Sequence, residues 1–178
     1  DEHKIISKGL IGSFENLSSN KNIKLAEPLK INNGGFALDF WIKIEAYKDA
    51  TIFEGKDSEM KNIELRLRSN GTLEFIITNE GETMKLTSDI NRLKKGNNQH
   101  VAILFDADAK ICYMLIDGSI CDGGGKEIFG FSRFNYALMG KEIHNLSIKK
   151  FTGKINKLRL YGHQMFTSQF VNNYNAEK

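Results

Sequence analysis

The chain has 178 residues, 40% apolar and 26% charged, which suffices to bury roughly 70% of its unfolded surface and excludes both a disordered chain and one needing disulfide staples. Its 25 basic and 22 acidic residues leave a formal charge of +3 and are mixed along the chain, with no run longer than Lys94-Lys95 or Lys149-Lys150, which excludes the one-sided basic face of a nucleic-acid or anionic-lipid binder. No apolar stretch approaches the roughly 20 residues of a membrane-spanning helix, and Asp1 to Lys4 lacks the apolar centre of a signal peptide, so Asp1 is expected to follow a processed or trimmed segment.

Twelve Phe and 16 Gly against a single Pro suit a strand-rich fold with many glycine turns. Ile23 to Leu25 reads as a short strand before Pro28, and Asn32 to Gly35 as a turn. Phe36, Leu38, Phe40, Ile42 and Ile44 then alternate with Ala37, Asp39, Trp41 and Lys43, the period-2 mark of a half-buried strand. Thr51 to Gly55 is another short strand, closed by a polar loop from Lys56 to Asn62. Ile63 to Arg68 and Thr72 to Thr78 form a hairpin whose register can be argued. A two-residue Asn70-Gly71 turn would oppose Arg68 to Leu73 and mix the two faces, which a buried sheet forbids. A three-residue loop of Ser69, Asn70 and left-handed Gly71 repairs this, pairing Leu67 with Leu73, Leu65 with Phe75 and, outside, Arg66 with Glu74 as a cross-strand ion pair.

Met84 to Leu86 is a weak strand, and Asn91 to Gln99 is a polar loop. His100 to Phe105 and Ile111 to Ile116 make a second hairpin around Asp106 to Lys110, and Asp117-Gly118 is a two-residue turn that faces Ile116 to Ser119 and Met114 to Cys121. Cys112 and Cys121 are then diagonal at about 7 Å, long for a disulfide, so free thiols are expected. From Cys121 to Lys150 there is little periodicity; a segment this long is either functional or hides short strands. The closing strand, Phe151 to Tyr161, is expected to partner the strand of Phe36 to Ile44, and Thr167 to Tyr174 to form a helical turn or two capped by Thr167 or Ser168.

The ordered series Gly34-Gly-Phe-Ala-Leu-Asp-Phe-Trp-Ile-Lys43, His100-Val-Ala-Ile-Leu-Phe-Asp106 with Tyr113-Met-Leu-Ile-Asp-Gly118, and Phe151-Thr-Gly-Lys-Ile-Asn-Lys-Leu-Arg-Leu-Tyr161 resembles the laminin-G-like, concanavalin A-like jelly-roll module. Cys121-Asp-Gly-Gly followed by Phe129-Gly-Phe-Ser-Arg-Phe134 is similar to versions appended to secreted bacterial polysaccharide-degrading proteins. The resemblance implies an all-β, two-sheet antiparallel jelly-roll sandwich with at most a short C-terminal helix. It implies one domain over residues 1–178, with a core over 10–176, acting as a lectin-like or spacing module beside a catalytic domain, often with calcium.

Catalysis finds no support in the residues. Glucanases sharing this fold carry a Glu-x-Asp-x-x-Glu or similar run on one strand, because a retaining mechanism needs two carboxyls about 5 Å apart on one face. Here the nearest strand acids, Glu64 and Glu74, have arginine neighbours and read as solvated ion pairs, and His3, His100, His144 and His163 are scattered. Trp41, on the same face as Asp39 and Lys43, is either a flat apolar platform for a pyranose or a tryptophan covered by a loop or neighbouring strand. Asp122, in Asp122-Gly-Gly-Gly125, lies where backbone can approach a ligand closely, and Arg133 beside Phe134 could clamp an acidic sugar by a planar fork and stacking; the alternatives are a surface turn and an ion pair. Asp106 and Asp108 could offer two oxygens to Ca2+, or act only as turn residues. The expected function is non-catalytic binding of a glycan or polysaccharide by a module of a larger extracytoplasmic protein, secreted, periplasmic or on the cell surface, without nucleic acid or membrane insertion. A structural or protein-contact spacer that touches other domains of the same parent is the alternative, and a glycosidase or polysaccharide lyase the least favoured.

Overall fold

Alternating apolar and polar residues make strands wherever one face can be buried. The computed structural model describes residues 3–31, 35–58, 60–79, 82–106, 111–121, 132–133 and 141–178. Among these, the first strands are β1 (Leu10–Phe14), β2 (Asn22–Ile31), β3 (Phe36–Ile44), β4 (Ala50–Asp57), β5 (Met60–Leu67), β6 (Leu73–Asn79) and β7 (Glu82–Thr87). They are followed by β8 (Asn98–Asp106), β9 (Ile111–Ile116), β10 (Ser119–Ile120), β11 (Ser132–Arg133), β12 (Lys141–Ile148), β13 (Gly153–Tyr161) and the helix α1 (Thr167–Glu177). One antiparallel sheet runs β1-β13-β3-β8-β9-β10, with β11 also on β9; the other runs β2-β12-β4-β5-β6-β7. This is the all-β jelly-roll sandwich expected from the sequence, with one short C-terminal helix.

The inward rows of the two sheets make the core. Phe36, Leu38, Phe40 and Ile42 of β3 and Val101, Ile103 and Phe105 of β8 meet Phe53, Leu65, Leu67 and Phe75 of the second sheet, and Phe40 packs edge to face on Phe53 at 5.9 Å. Each such side chain contributes about 1.5–3 kcal/mol by leaving water. A smaller cluster, Ala37, Ala102, Leu104, Tyr161, Met165 and Phe170, lies on the other face of the first sheet, so β3 is buried on both sides.

The argued hairpin registers hold. Gly71 is left-handed at φ 85°, Arg68 N–H donates to the Thr72 carbonyl at 2.9 Å, and Leu67, Leu65 and Arg66 face Leu73, Phe75 and Glu74. The ion pairs do not follow that register: Arg66 Nε lies 3.6 Å from Glu64, while Glu74 lies 3.9 Å from Arg68 and 3.8 Å from Lys85. Asp117 and Gly118 form the two-residue turn with φ 50° and 77°, and Ile116 faces Ser119. Both cysteines are free and buried, and burial pushes the Cys112 thiol up to about 12, which makes it unreactive.

Several elements differ from the sequence expectation: β1 had no counterpart in it, β4 and β5 take in most of the expected Lys56 to Asn62 loop, and three further differences bear on the packing. β2 runs straight through Pro28, because β2 is an edge strand and its register breaks between Lys24 and Leu29, so the missing N–H costs no ladder bond. The aperiodic segment hides β12, which sits between β2 and β4; Ile143, Leu146 and Ile148 are its core contacts, and the irregularity between Ile143 and Asn145 spaces the first two by three instead of two. The helix reaches Glu177, and its N-terminal cap is Phe166, whose N–H is taken by the Gln169 side chain at 2.7 Å, not Thr167 or Ser168.

Because β12 is interior to its sheet, Leu146→Ala is expected to cost about 2–5 kcal/mol in urea unfolding. Asn145→Ala, one residue away and partly exposed, should stay within about 0.5 kcal/mol. Equal effects at the two positions would contradict the placement of this strand.

Candidate functional site

The face of β3 turned away from the core carries Asp39, Trp41 and Lys43, and the pairing of β13 and β8 on either side determines their neighbours. Asp39 lies between Arg159 and Ala102, Trp41 between Asn156 and His100, and Lys43 between Lys154 and Asn98. One residue of β3, Phe40, is faced there by two of β13, Lys157 and Leu158, a bulge in which Lys157 is left-handed at φ 51°. The extra residue turns both Asn156 and Arg159 outward, where a regular strand would send Arg159 into the core.

Arg159 is needed on that face because Asp39 has no exposed surface. Its carboxylate accepts hydrogen bonds from Arg159 Nε at 2.9 Å, Arg159 Nη2 at 2.8 Å, His100 Nε2 at 2.9 Å and Asn173 Nδ2 at 3.1 Å. Burial pushes the Asp39 carboxyl up, but the bonds from His100 and Arg159, with their charges, outweigh it and hold the pKa below the ordinary 3.8. Arg159 Nη2 also donates to Glu177 Oε1 at 2.6 Å, and the same oxygen accepts the Trp41 indole N–H at 3.0 Å. Burial raises and these bonds lower the Glu177 pKa, which ends below its ordinary 4.5. The Tyr161 hydroxyl, pushed up to about 12 by burial and the Asp39 charge, donates to the Ile6 carbonyl at 2.7 Å and accepts from Asn173 at 3.2 Å. The helix is thus keyed onto the sheet by buried polar groups as well as by Phe170.

Trp41 is 7% exposed. Its ring lies 5.3 Å from that of His100, on the neighbouring strand β8 as the sequence suggested, and 6.1 Å from that of Tyr174, on α1, which the sequence did not suggest. Its edge borders a cleft of about 200 Å³ lined by Lys43, Asn98, Lys154, Asn156, Lys157 and Glu177. Lys157 Nζ is 3.4 Å from Glu177, and Asn156 Oδ1 accepts the N–H groups of Asn16 at 3.3 Å and Lys157 at 2.8 Å. The cleft therefore offers ammonium and amide donors beside an aromatic edge, on a floor of three paired strands.

Of the site residues singled out in the sequence, the structure brings Asp39 and Trp41 together and, among the described residues, no others with them. Asp39 is a correction: with no exposed surface it positions Arg159 and α1 and has no atom to give a ligand. Of the two readings given for Trp41 the covered one holds, which leaves only a narrow exposed margin at the cleft. Arg133 pairs with Ile111, which faces Asp106, whereas Trp41 faces His100; six residues of β8 put Arg133 about 20 Å along the sheet from Trp41. Asp108, Asp122 and Phe134 lie outside the described residues. Calcium wants six to eight oxygens, and among the described residues no three His, Cys, Asp or Glu side chains converge on one point, so these residues do not provide a cage. Lys154 and Asn156 were within reach of the sequence, since they alternate outward on the strand expected to partner β3. Glu177 and Asn98 carried no signal, being placed by helix docking and by the start of β8.

A pair of antiparallel sheets with a small polar cleft on one outer face defines a jelly-roll sandwich. The chain belongs to the Concanavalin A-like lectin/glucanases superfamily, whose laminin G model matches residues 17–169. No curated protein matches it by sequence. Similar solved structures include the botulinum neurotoxin serotype D binding domain (12% identity, TM-score 0.73, covering 93% of this chain and 42% of that one). A second is the binding domain of botulinum neurotoxin DC in complex with SialylT (14%, 0.62, 82% and 36%). A third is a heptameric SAP-like pentraxin from Limulus polyphemus (16%, 0.60, 89% and 76%). The chain spans less than half the length of the two toxin binding domains. No described helix is long and apolar enough to cross a membrane.

Asp39→Ala removes the acceptor of four hydrogen bonds and leaves Arg159 half-paired, and is expected to cost about 3–5 kcal/mol in urea unfolding at pH 7. Asp39 and Glu177 both have depressed folded pKas, so their stabilisation is complete above the ordinary 3.8 and 4.5 and is lost as pH falls through the lower folded values. The gap between parent and variant should be constant above about pH 5 and shrink below about pH 4. A gap that widens in acid would contradict the charged state of Asp39.

Proposed function

We propose that the chain is a non-catalytic carbohydrate-binding module, one unit over residues 1–178 of a larger secreted or surface protein, and that it takes a sugar at the edge of Trp41. The observation that carries this reading is the cleft itself. Asn98, Asn156 and the lysine ammonium groups supply hydrogen-bond donors for hydroxyls, and the indole edge supplies an apolar contact for C–H groups. At about 200 Å³ the cleft is smaller than the ~300 Å³ floor for drug-sized sites, which suits one sugar ring at the surface better than an enclosed substrate. Family membership and the toxin domain solved with SialylT support a saccharide as the ligand class, without locating its site on this chain.

The acids support a binding role over hydrolysis. Glu64, 5% exposed, accepts from Thr51 Oγ1 at 2.8 Å and from Lys61 Nζ at 2.8 Å. Burial raises its pKa, but these partners outweigh that and hold it below the ordinary 4.5. A carboxyl kept charged in this way cannot serve as the proton donor that glycoside cleavage needs. Glu54, opposite it across β4 and β5, lies within 4.0 Å of Lys56, Lys61 and Lys149.

The test is a glycan array with the whole chain, followed by titration of the single tryptophan's fluorescence with any glycan retained. Binding should perturb the emission, and Asn98→Ala should weaken affinity about 2- to 12-fold, the range for one lost hydrogen bond of 0.5–1.5 kcal/mol. A folded protein that retains no glycan would overturn the reading in favour of a protein-contact spacer.

A further inference from the structure

The Trp41 cleft does not end at Lys154. A second cleft, of about 370 Å³, is bordered by Asn16, Ser18, Lys154 and Asn156, and a third, of about 280 Å³, by Ser18, Ser19, Lys149, Phe151 and Lys154. Lys154 borders all three, and each neighbouring pair shares further residues of β13 or of the segment joining β1 to β2. They are therefore neighbours along the first half of β13, from Phe151 toward the end of α1, and are taken together as one groove. Gly153 to Lys157 alone spans about 13 Å of extended strand, a length that one sugar ring does not fill.

Four ammonium groups, Lys43, Lys149, Lys154 and Lys157, are spaced along these clefts, and three of them lie beside a carboxylate; Glu177, in the lining, is held by Arg159, Trp41 and Lys157. Lys43 is 3.8 Å from Glu45 and Lys149 is 3.9 Å from Glu54, whereas Lys154, exposed at the centre, has no acidic partner among the described residues. Hydroxyl and amide groups of Ser18, Ser19, Asn16 and Asn156 fill the intervals between the ammonium groups, and Phe151 and Trp41 place an aromatic ring near each end.

We propose that this groove binds an acidic polysaccharide along its chain, over at least two consecutive sugars, with a carboxylate or sulfate of the ligand on Lys154. The proposal rests on the carbohydrate-binding reading above and adds the ligand's charge, its length and its course across the face. Lysine suits the role because an exposed ammonium is a point charge on a flexible stem that can follow anionic groups of either geometry.

The test is calorimetric titration of the whole chain with oligogalacturonates of one to four residues, with a sulfated oligosaccharide, and with neutral oligosaccharides of matched length. Polyglutamate serves as a polyanion that is not a sugar. Acidic oligosaccharides are expected to bind at least tenfold more tightly than neutral ones, to tighten from one residue to three, and to weaken as salt rises from 50 to 300 mM. Lys154→Ala should lower that affinity several-fold and Lys154→Arg should retain most of it; the preferred arm, uronate or sulfate, identifies the anion. Equal binding of neutral and acidic chains would overturn the proposal while the carbohydrate reading stands. Equal binding of polyglutamate, or no loss in Lys154→Ala, would also overturn it, and binding of no saccharide of any charge would overturn both.

Discussion

Asp39 is a carboxylate without contact with water in the middle of the first sheet, and the outer face of that sheet is arranged around its charge. Removing such a group from solvent costs several kcal/mol unless every lone pair is answered. Here Arg159 answers with a two-pronged contact, His100 and Asn173 complete the shell, and Arg159 carries the charge on to Glu177 at the end of α1. His100 gives Nε2 to this bond, and its Nδ1 is buried with no hydrogen-bond partner among the described residues. The bulge in β13 exists in service of this arrangement, since only an extra residue brings Arg159 to the outer face while Leu158 and Leu160 remain in the core.

The same constraint shapes the groove. Once Glu177 is drawn down by Arg159 and Trp41, the end of α1 becomes one wall of the Trp41 cleft, and the left-handed Lys157 of the bulge becomes part of it. The buried pair holds its charges internally and presents none to a ligand, so the lysines determine the potential along β13. Rigid support comes from three hydrogen-bonded strands beneath and from the helix clamped at Asp39, which makes the groove pre-formed. A site of that kind loses little entropy on binding, which is how shallow contacts reach useful affinity. The outer face of the second sheet is different in character: Glu54, Glu64 and Glu74 are interleaved with Lys56, Lys61, Lys149, Arg66, Arg68 and Lys85, a surface neutralised locally.

What could be read without coordinates follows the range of each interaction. The alternation in β3, the left-handed Gly71 and the Asp117-Gly118 turn are local, and each was correct in its register. The passage of β2 through Pro28 and the existence of β12 were not legible, because both depend on a strand's place in the sheet and both contain a bulge that breaks the period on which reading relies. Three-residue spacing was the signal of the irregularity in β12, Ile143 to Leu146, as it is of the bulge in β13, Ile155 to Leu158.

The residues of the outer face divide in the same way. Sequence alone determined the placement of Asp39, Trp41 and Lys43 on one outward face, since this follows from period-2 patterning over a few residues, while the two-sheet architecture was legible only through the resemblance carried by three ordered segments together. Tertiary structure alone decided that Asp39 is buried and Trp41 offers an edge, because both facts result from an eleven-residue helix at the end of the chain docking more than a hundred residues from β3. It also decided that Lys43, Lys154 and Lys157 line one cleft, because convergence of side chains from distant strands is a property of the sheet and has no local signature in the chain.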